Sequence, residues 1–142
     1  MKTTIHITKK DLDKDNYYKE DGIGTYSEPF DAEIISDENL GYIRFKEGVY
    51  VTGGITIKAG SGIEAGWGIE AGDGIVSLYS YIKAKLSIDF STTISAGIFS
   101  TSGAKDIEAR EINGKVIYGN VILLKDTEKT ITIDGKDIKI SE

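Results

Sequence analysis

Between Ile55 and Ile75, apolar and small residues hold the odd positions while polar residues and glycine hold most of the even ones. Ile55, Ile57, Ala59, Ile63, Ala65, Trp67, Ile69, Ala71 and Ile75 fall on one side of an extended chain. Thr56, Lys58, Glu64 and Glu70 fall on the other. A period of two is the strand period. Uninterrupted, such a segment would run roughly 70 Å at about 3.3 Å per residue, far beyond a normal strand, so the chain must turn corners. After Tyr79-Ser-Tyr81 the alternation resumes one position out of phase. Ile82, Ala84, Leu86, Ile88, Phe90, Ile94 and Ala96 then share the apolar side, opposite Lys83, Lys85, Ser87, Asp89 and Ser91.

A six-residue repeat underlies this alternation: Ile57-Lys-Ala-Gly, Ile63-Glu-Ala-Gly, Ile69-Glu-Ala-Gly, then Ile75-Val-Ser-Leu. A unit this short cannot bury its own apolar face and becomes stable only by stacking. Gly60-Ser-Gly62, Gly66-Trp-Gly68 and Gly72-Asp-Gly74 fall at equal intervals and supply corners, where glycine accepts sharp backbone angles. The signature returns as Ile82-Lys-Ala84, Ile94-Ser-Ala96 and Ile107-Glu-Ala109, so the repeat continues in degenerate form. The expected fold is all-β: a short β-solenoid, a β-helix-like stack of six-residue rungs over residues 49–109. It has an acidic N-terminal α/β segment (1–48) and C-terminal strands ending in a β-hairpin cap (110–142), all in one domain.

In the N-terminal segment, residues 3–8 alternate as a short strand, and Thr8-Lys-Lys-Asp11 has the form of a helix capping box, with a short helix reaching about Tyr18. Ala32 to Ile35 and Tyr42 to Phe45 are strand candidates. Toward the C-terminus, Val116–Tyr118, Val121–Leu124, Thr130–Ile133 and Asp137–Ile140 suggest strands, with Asn113-Gly114 and Asp134-Gly135 as hairpin turns.

Composition removes several kinds of chemistry. With no cysteine among 142 residues there are no disulfides or thiolate sites, and the lone His6 supplies neither a histidine-rich metal site nor the base of a triad. No apolar run reaches the length of a membrane span, and the N-terminus lacks a signal-peptide core; a cytoplasmic bacterial or viral protein is the expectation. The net charge of −6 argues against direct binding to a phosphate backbone. Its distribution is uneven: Asp11 to Glu38 holds ten acidic residues against Lys14 and Lys19, a balance of −8, and leaves the rest slightly basic.

Several constellations imitate known sites without completing them. Gly60-x-Gly62-x-x-x-Gly66 resembles a phosphate loop, but it recurs six residues later and no Lys-Ser/Thr or helix pattern follows. Asp11-Leu-Asp-Lys-Asp15 begins like a calcium loop, then has Asn16 in place of the turn glycine and Gly22 where a bidentate Glu belongs. Glu64 and Glu70, one repeat apart, could pair as glycosidase carboxylates only with neighbours that cannot be named. No catalytic residue, cofactor or metal is therefore expected. Trp67 occupies the corner slot that holds Ser61 and Asp73 in neighbouring repeats. It is either exposed for binding or, the favoured placement, covered by a loop from the acidic segment, because most large aromatics find cover.

The run from Ile57 to Ile75 resembles the Ile-Glu/Lys-Ala-Gly hexapeptide-repeat proteins of Firmicutes phages and mobile elements. That resemblance implies a β-helical stack and a mobile-element setting, and it transfers no catalytic motif. Some small acidic proteins of such elements look like inhibitors of host defence, including anti-CRISPR proteins. The repeat is also similar in period to hexapeptide acyltransferases, but without a histidine in the stack, and to bactofilins, but with glycine-rich corners.

The functional expectation is a non-enzymatic protein-binding solenoid in the host cytoplasm, a monomer or homodimer that inhibits a basic nucleic-acid-handling complex by acidic surface mimicry. Asp31, Glu33, Asp37 and Glu38 would carry the charge, and Tyr17, Tyr18, Tyr26 and Trp67 would add contact area. The alternatives are a self-associating structural solenoid and a carbohydrate-binding module using Trp67, Tyr79 and Tyr81.

Overall fold

A computed structural model describes residues 3–58, 61–85, 87–100, 103, 105–124, 128–133 and 136–141, the last two segments by backbone alone. The Asp134-Gly135 turn and the Gly60 corner lie outside the described residues. Apart from one short 3-10 turn, the described secondary structure is β.

The chain winds as a three-sided parallel β-solenoid of about four full turns. The first strand, β1 (Thr3–His6), begins an incomplete leading coil that continues through isolated bridges at Tyr17, Ile23 and Phe30. Four full coils follow. The first is β2 (Ala32–Ser36), β3 (Tyr42–Phe45) and β4 (Val49–Val51), and the second is β5 (Ile55–Ile57), β6 (Gly62–Ala65) and β7 (Ile69–Ala71). The third is β8 (Ile75–Ser77), β9 (Ile82–Ala84) and the start of β10 (Ser87–Ala96). The end of β10, β11 (Asp106–Ala109) and the start of β12 (Glu111–Tyr118) make the fourth. The end of β12 and β13 (Asn120–Leu123) form a last partial coil, and β14 (Glu128–Ile133) and β15 (Lys136–Ser141) pair as the expected antiparallel hairpin.

Successive six-residue units do not lie on one another. They are the sides of one triangle, and the residue stacked on each isoleucine lies about three units away. On the first face Ile34, Ile55, Ile75 and Ile94 are in register; on the second, Ile43, Ile63, Ile82 and Ile107; on the third, Val49, Ile69 and Ile88. These ladders point inward and are fully buried. The second inward position on the second face is Phe45 in the first coil and Ala65 and Ala84 stacked in register on it, all buried, as is Ala109 in the fourth coil. Alternating large and small residues lets three sheets meet at interior packing density.

The shift in alternation after Tyr79 is a difference of one residue in corner length. Ile57 to Ile63 spans six residues, whereas Ser77 to Ile82, stacked on them, spans five. The stack also starts earlier than the repeat, since β1, β2 and β3 already stand in its ladders. The acidic stretch thus forms the leading coil and the start of the next.

Three local expectations change. The capping box at Thr8 and Asp11 forms, but it begins only a three-residue 3-10 turn, Lys9–Asp11. Asp13 accepts from the amides of Asp15 and Tyr17, and Asn16 takes a left-handed φ of 67°, which closes a tight turn in place of a helix. Asn113-Gly114 is not a hairpin: it lies inside β12, which continues from the third face to the first. The corner glycines 62, 66, 68, 72 and 74 are not among those with positive φ. What they supply is the missing Cβ, which at Gly66 and Gly72 would overlap the carbonyl oxygens of Lys46 and Thr52 one coil away.

Candidate functional site

The outward side chains of the second face form a ladder of alternating charge: Arg44 on β3, Glu64 on β6, Lys83 on β9 and Glu108 on β11, in direct register. Stacked sides sit about 4.8 Å apart, so each charge has an opposite one above or below it. Arg44 Nε lies 3.8 Å from Glu64 Oε1. Below Arg44, its guanidinium covers the Tyr17 ring at 4.3 Å, and the Lys46 ammonium stands 5.5 Å from the same ring.

One residue further along each side is the corner toward the third face. Lys46, Gly66 and Lys85 occupy this slot in consecutive coils, each just after the registered residues Phe45, Ala65 and Ala84, and Arg110 follows two residues after Glu108, which is registered with Lys83. Trp67 follows the glycine and is 56% exposed. The charged ladder, this corner row, Tyr17, Trp67 and Leu124 line one open groove of about 730 Å³ along the stack. Five cations (Arg44, Lys46, Lys83, Lys85 and Arg110) face two carboxylates, Glu64 and Glu108. The groove is therefore basic in a protein that is acidic overall.

At its edge the Tyr81 hydroxyl donates to Glu64 Oε2 at 3.4 Å, and Lys83 stands 4.5 Å from the Tyr81 ring. Burial, reinforced by the Glu64 charge and that hydrogen bond, pushes the Tyr81 phenol up to about 12. Tyr81 is thus a neutral donor that fixes Glu64 on the groove floor.

The residues expected from the sequence to bind a partner do not form one patch. Tyr17 and Trp67 both line the groove, and Trp67 is exposed instead of lying under a loop of the acidic segment. Tyr18 is half-buried against Phe45 with ring centres 5.2 Å apart, while Tyr26 is 76% exposed and meets Tyr50 edge-on. Asp31 accepts from Thr52 Oγ1 at 2.6 Å, Glu33 accepts from Thr4 Oγ1 at 2.9 Å, and Asp37 pairs with Lys58 at 3.7 Å. These three carboxylates tie neighbouring coils together. Glu38 is exposed beside Asp37.

Glu64 and Glu70 lie on different faces, which removes the paired-carboxylate arrangement. The stacked neighbour of Glu70 is Asp89. Burial and the Asp89 charge raise the Glu70 carboxyl above its ordinary range. Among the described residues no group of three or more His, Asp or Glu side chains could hold a metal, and no helix is long and apolar enough to cross a membrane.

The groove cations escape a linear reading because Arg44 and Lys46, Lys83 and Lys85, and Arg110 come from segments separated by 37 and 25 residues in the sequence. The signal that finds them is the coil length: Arg44, Glu64 and Lys83 are separated by 20 and 19 residues. No protein-family model matches the chain, and neither a curated protein nor a solved structure matches it.

Proposed function

We propose that this chain is a non-enzymatic binding protein whose acidic leading coil docks into a basic surface of a protein partner, as in a phage or mobile-element inhibitor of a host nucleic-acid-handling complex. The observation that carries this reading is the exposure of the acidic stretch. Of the ten carboxylate residues from Asp11 to Glu38, all but Asp11 and Glu33 are exposed. Distributed around the leading coil and the start of the next, these charges give that end of the stack a negative potential that would steer and orient a basic partner. The resemblance of the repeat to mobile-element proteins supports the setting, inside the host cell.

The test is a plasmid-interference assay in cells with an active nucleic-acid-targeting defence. Expression of the protein should restore plasmid uptake. The charge-reversed variant Asp15→Lys, Glu20→Lys, Asp21→Lys, Glu28→Lys should not, while keeping its β-sheet circular dichroism. These four positions are chosen because Asp31, Glu33 and Asp37 also join coils. Full activity in the folded variant would overturn the reading.

Self-association is a second reading, supported by the far end of the stack. There Ile117, Val121 and Leu123 are 62%, 44% and 59% exposed on the last partial coil. Apolar exposure at a stack end favours end-to-end contact, and sedimentation over a range of concentrations separates this reading from a strict monomer.

A further inference from the structure

We infer that the groove of the second face binds single-stranded nucleic acid. The net charge of −6 leads to the opposite expectation, but that charge is segregated: the acidic stretch alone carries −8 and contributes only Tyr17 to the groove, whose other lining residues lie in the remaining, slightly basic part. Lys46, Lys85 and Arg110 line one corner of the groove, parallel to the stack axis. With neighbouring coils about 4.8 Å apart, Lys46 and Arg110 stand about 14 Å apart. That is a rigid cationic track of the length a few nucleotides span.

Lys83 lies in the registered strand β9, and Lys46, Lys85 and Arg110 each directly follow the last residue of a stacked strand, so the stack sets their spacing. Where the row lacks a side chain, at Gly66, Trp67 stands exposed in the same groove. A cationic track beside an exposed aromatic ring is the arrangement by which proteins hold single strands without reading sequence: phosphates follow the cations and a base stacks on the ring. Glu64 and Glu108 on the floor accept hydrogen bonds and so face the amino groups of bases or ribose hydroxyls, while the phosphates keep to the corner row. A polymer that is anionic throughout, with no stacking group, would leave both carboxylates opposed and Trp67 unused.

Trp67 is the only tryptophan, so its fluorescence reports on the groove directly. Short oligo-dT and oligo-U strands should quench it saturably at about 50 mM salt, with log K falling against log salt at a slope of about −2 if roughly three phosphates are neutralised. Trp67→Ala, followed by anisotropy of a labelled strand, should weaken binding about ten-fold or more. Lys46→Glu with Lys85→Glu should weaken it further and flatten the salt slope, with the thermal melt as the check on folding. Any of three results would overturn the inference: no response to either oligonucleotide at low salt, affinity unchanged in the folded groove variants, or equal binding of polyglutamate or polygalacturonate. Because these variants leave the acidic coil intact, failure here and failure of the interference assay are separate outcomes.

Discussion

Gly72 rests directly on Thr52: its amide donates to the Val51 carbonyl at 3.0 Å, and a Cβ built on it would overlap the Thr52 carbonyl oxygen. The corner has room for the backbone of the next coil and for nothing more. Gly72→Ala must therefore separate two coils or break that hydrogen bond. Overpacking of this kind costs about 1–3 kcal/mol. The expected result is a lower denaturation midpoint with an unchanged sheet spectrum, and a melting temperature equal to that of the natural protein would sink this account of the corner glycines.

The isoleucine ladders carry the stability of the stack. Ile69 is fully buried between Val49 and Ile88, and Ile69→Ala should cost about 2–5 kcal/mol by leaving a cavity on the axis. Lys58→Ala removes an exposed ion pair with Asp37 and should cost only about 0–1 kcal/mol. Urea denaturation of both variants gives the comparison, and similar losses would argue against a core-driven solenoid.

Glu70 works against the fold at neutral pH. One of its carboxylate oxygens is buried with no hydrogen-bond partner, and Asp89 is its neighbour on the next coil. Because burial first and Asp89 second raise its folded pKa above the ordinary value, the folded chain holds this proton more tightly than the unfolded chain. The resulting stability is present at pH below the unfolded glutamate value and is lost as pH rises through the folded one. Glu70→Gln should thus be more stable than the natural protein at neutral pH, by about 0.5–2 kcal/mol, and nearly equal to it in acid. Denaturation at the two pH values measures the gap, and a gap that does not widen with pH would contradict the assignment.

Tyr81 and Glu64 make a second titration test. With its phenol pushed up to about 12 by burial and by Glu64, Tyr81 should remain protonated after the more exposed of the eight tyrosines have ionised. Glu64→Gln removes the charge, and ultraviolet titration should show one tyrosine moving to lower pH. An unchanged titration curve would mean that Glu64 does not hold the hydroxyl.

Much of the fold is legible in the order of the residues. The period-two alternation marks the inward positions: Ile55, Ile57, Ile63, Ala65, Ile69, Ala71 and Ile75 are all buried. The Thr130–Ile140 alternation marks the terminal hairpin, and Thr8 with Asp11 marks the capping box. These features are local, because a strand's facing and a cap's hydrogen bonds depend on residues two or three apart. The helix expected to reach Tyr18 fails because the Asp13 side chain competes for the backbone amides of Asp15 and Tyr17.

By itself the sequence determined that the chain must stack, which residues face inward and where the acidic charge lies. Only the tertiary structure decided what stacks on what. Within the repeat, three sides close one coil of 19 or 20 residues, so the neighbour of Glu64 is Lys83 and not Glu70, and the neighbour of Glu70 is Asp89. The same closure joins Lys46, Lys85 and Arg110 into one row, leaves Trp67 open beside them and shows that Asp31, Glu33 and Asp37 tie coils together. The physical reason is corner length: a single residue more or less at a turn shifts every later side chain, and that length is fixed by packing between coils that are about 20 residues apart in the chain.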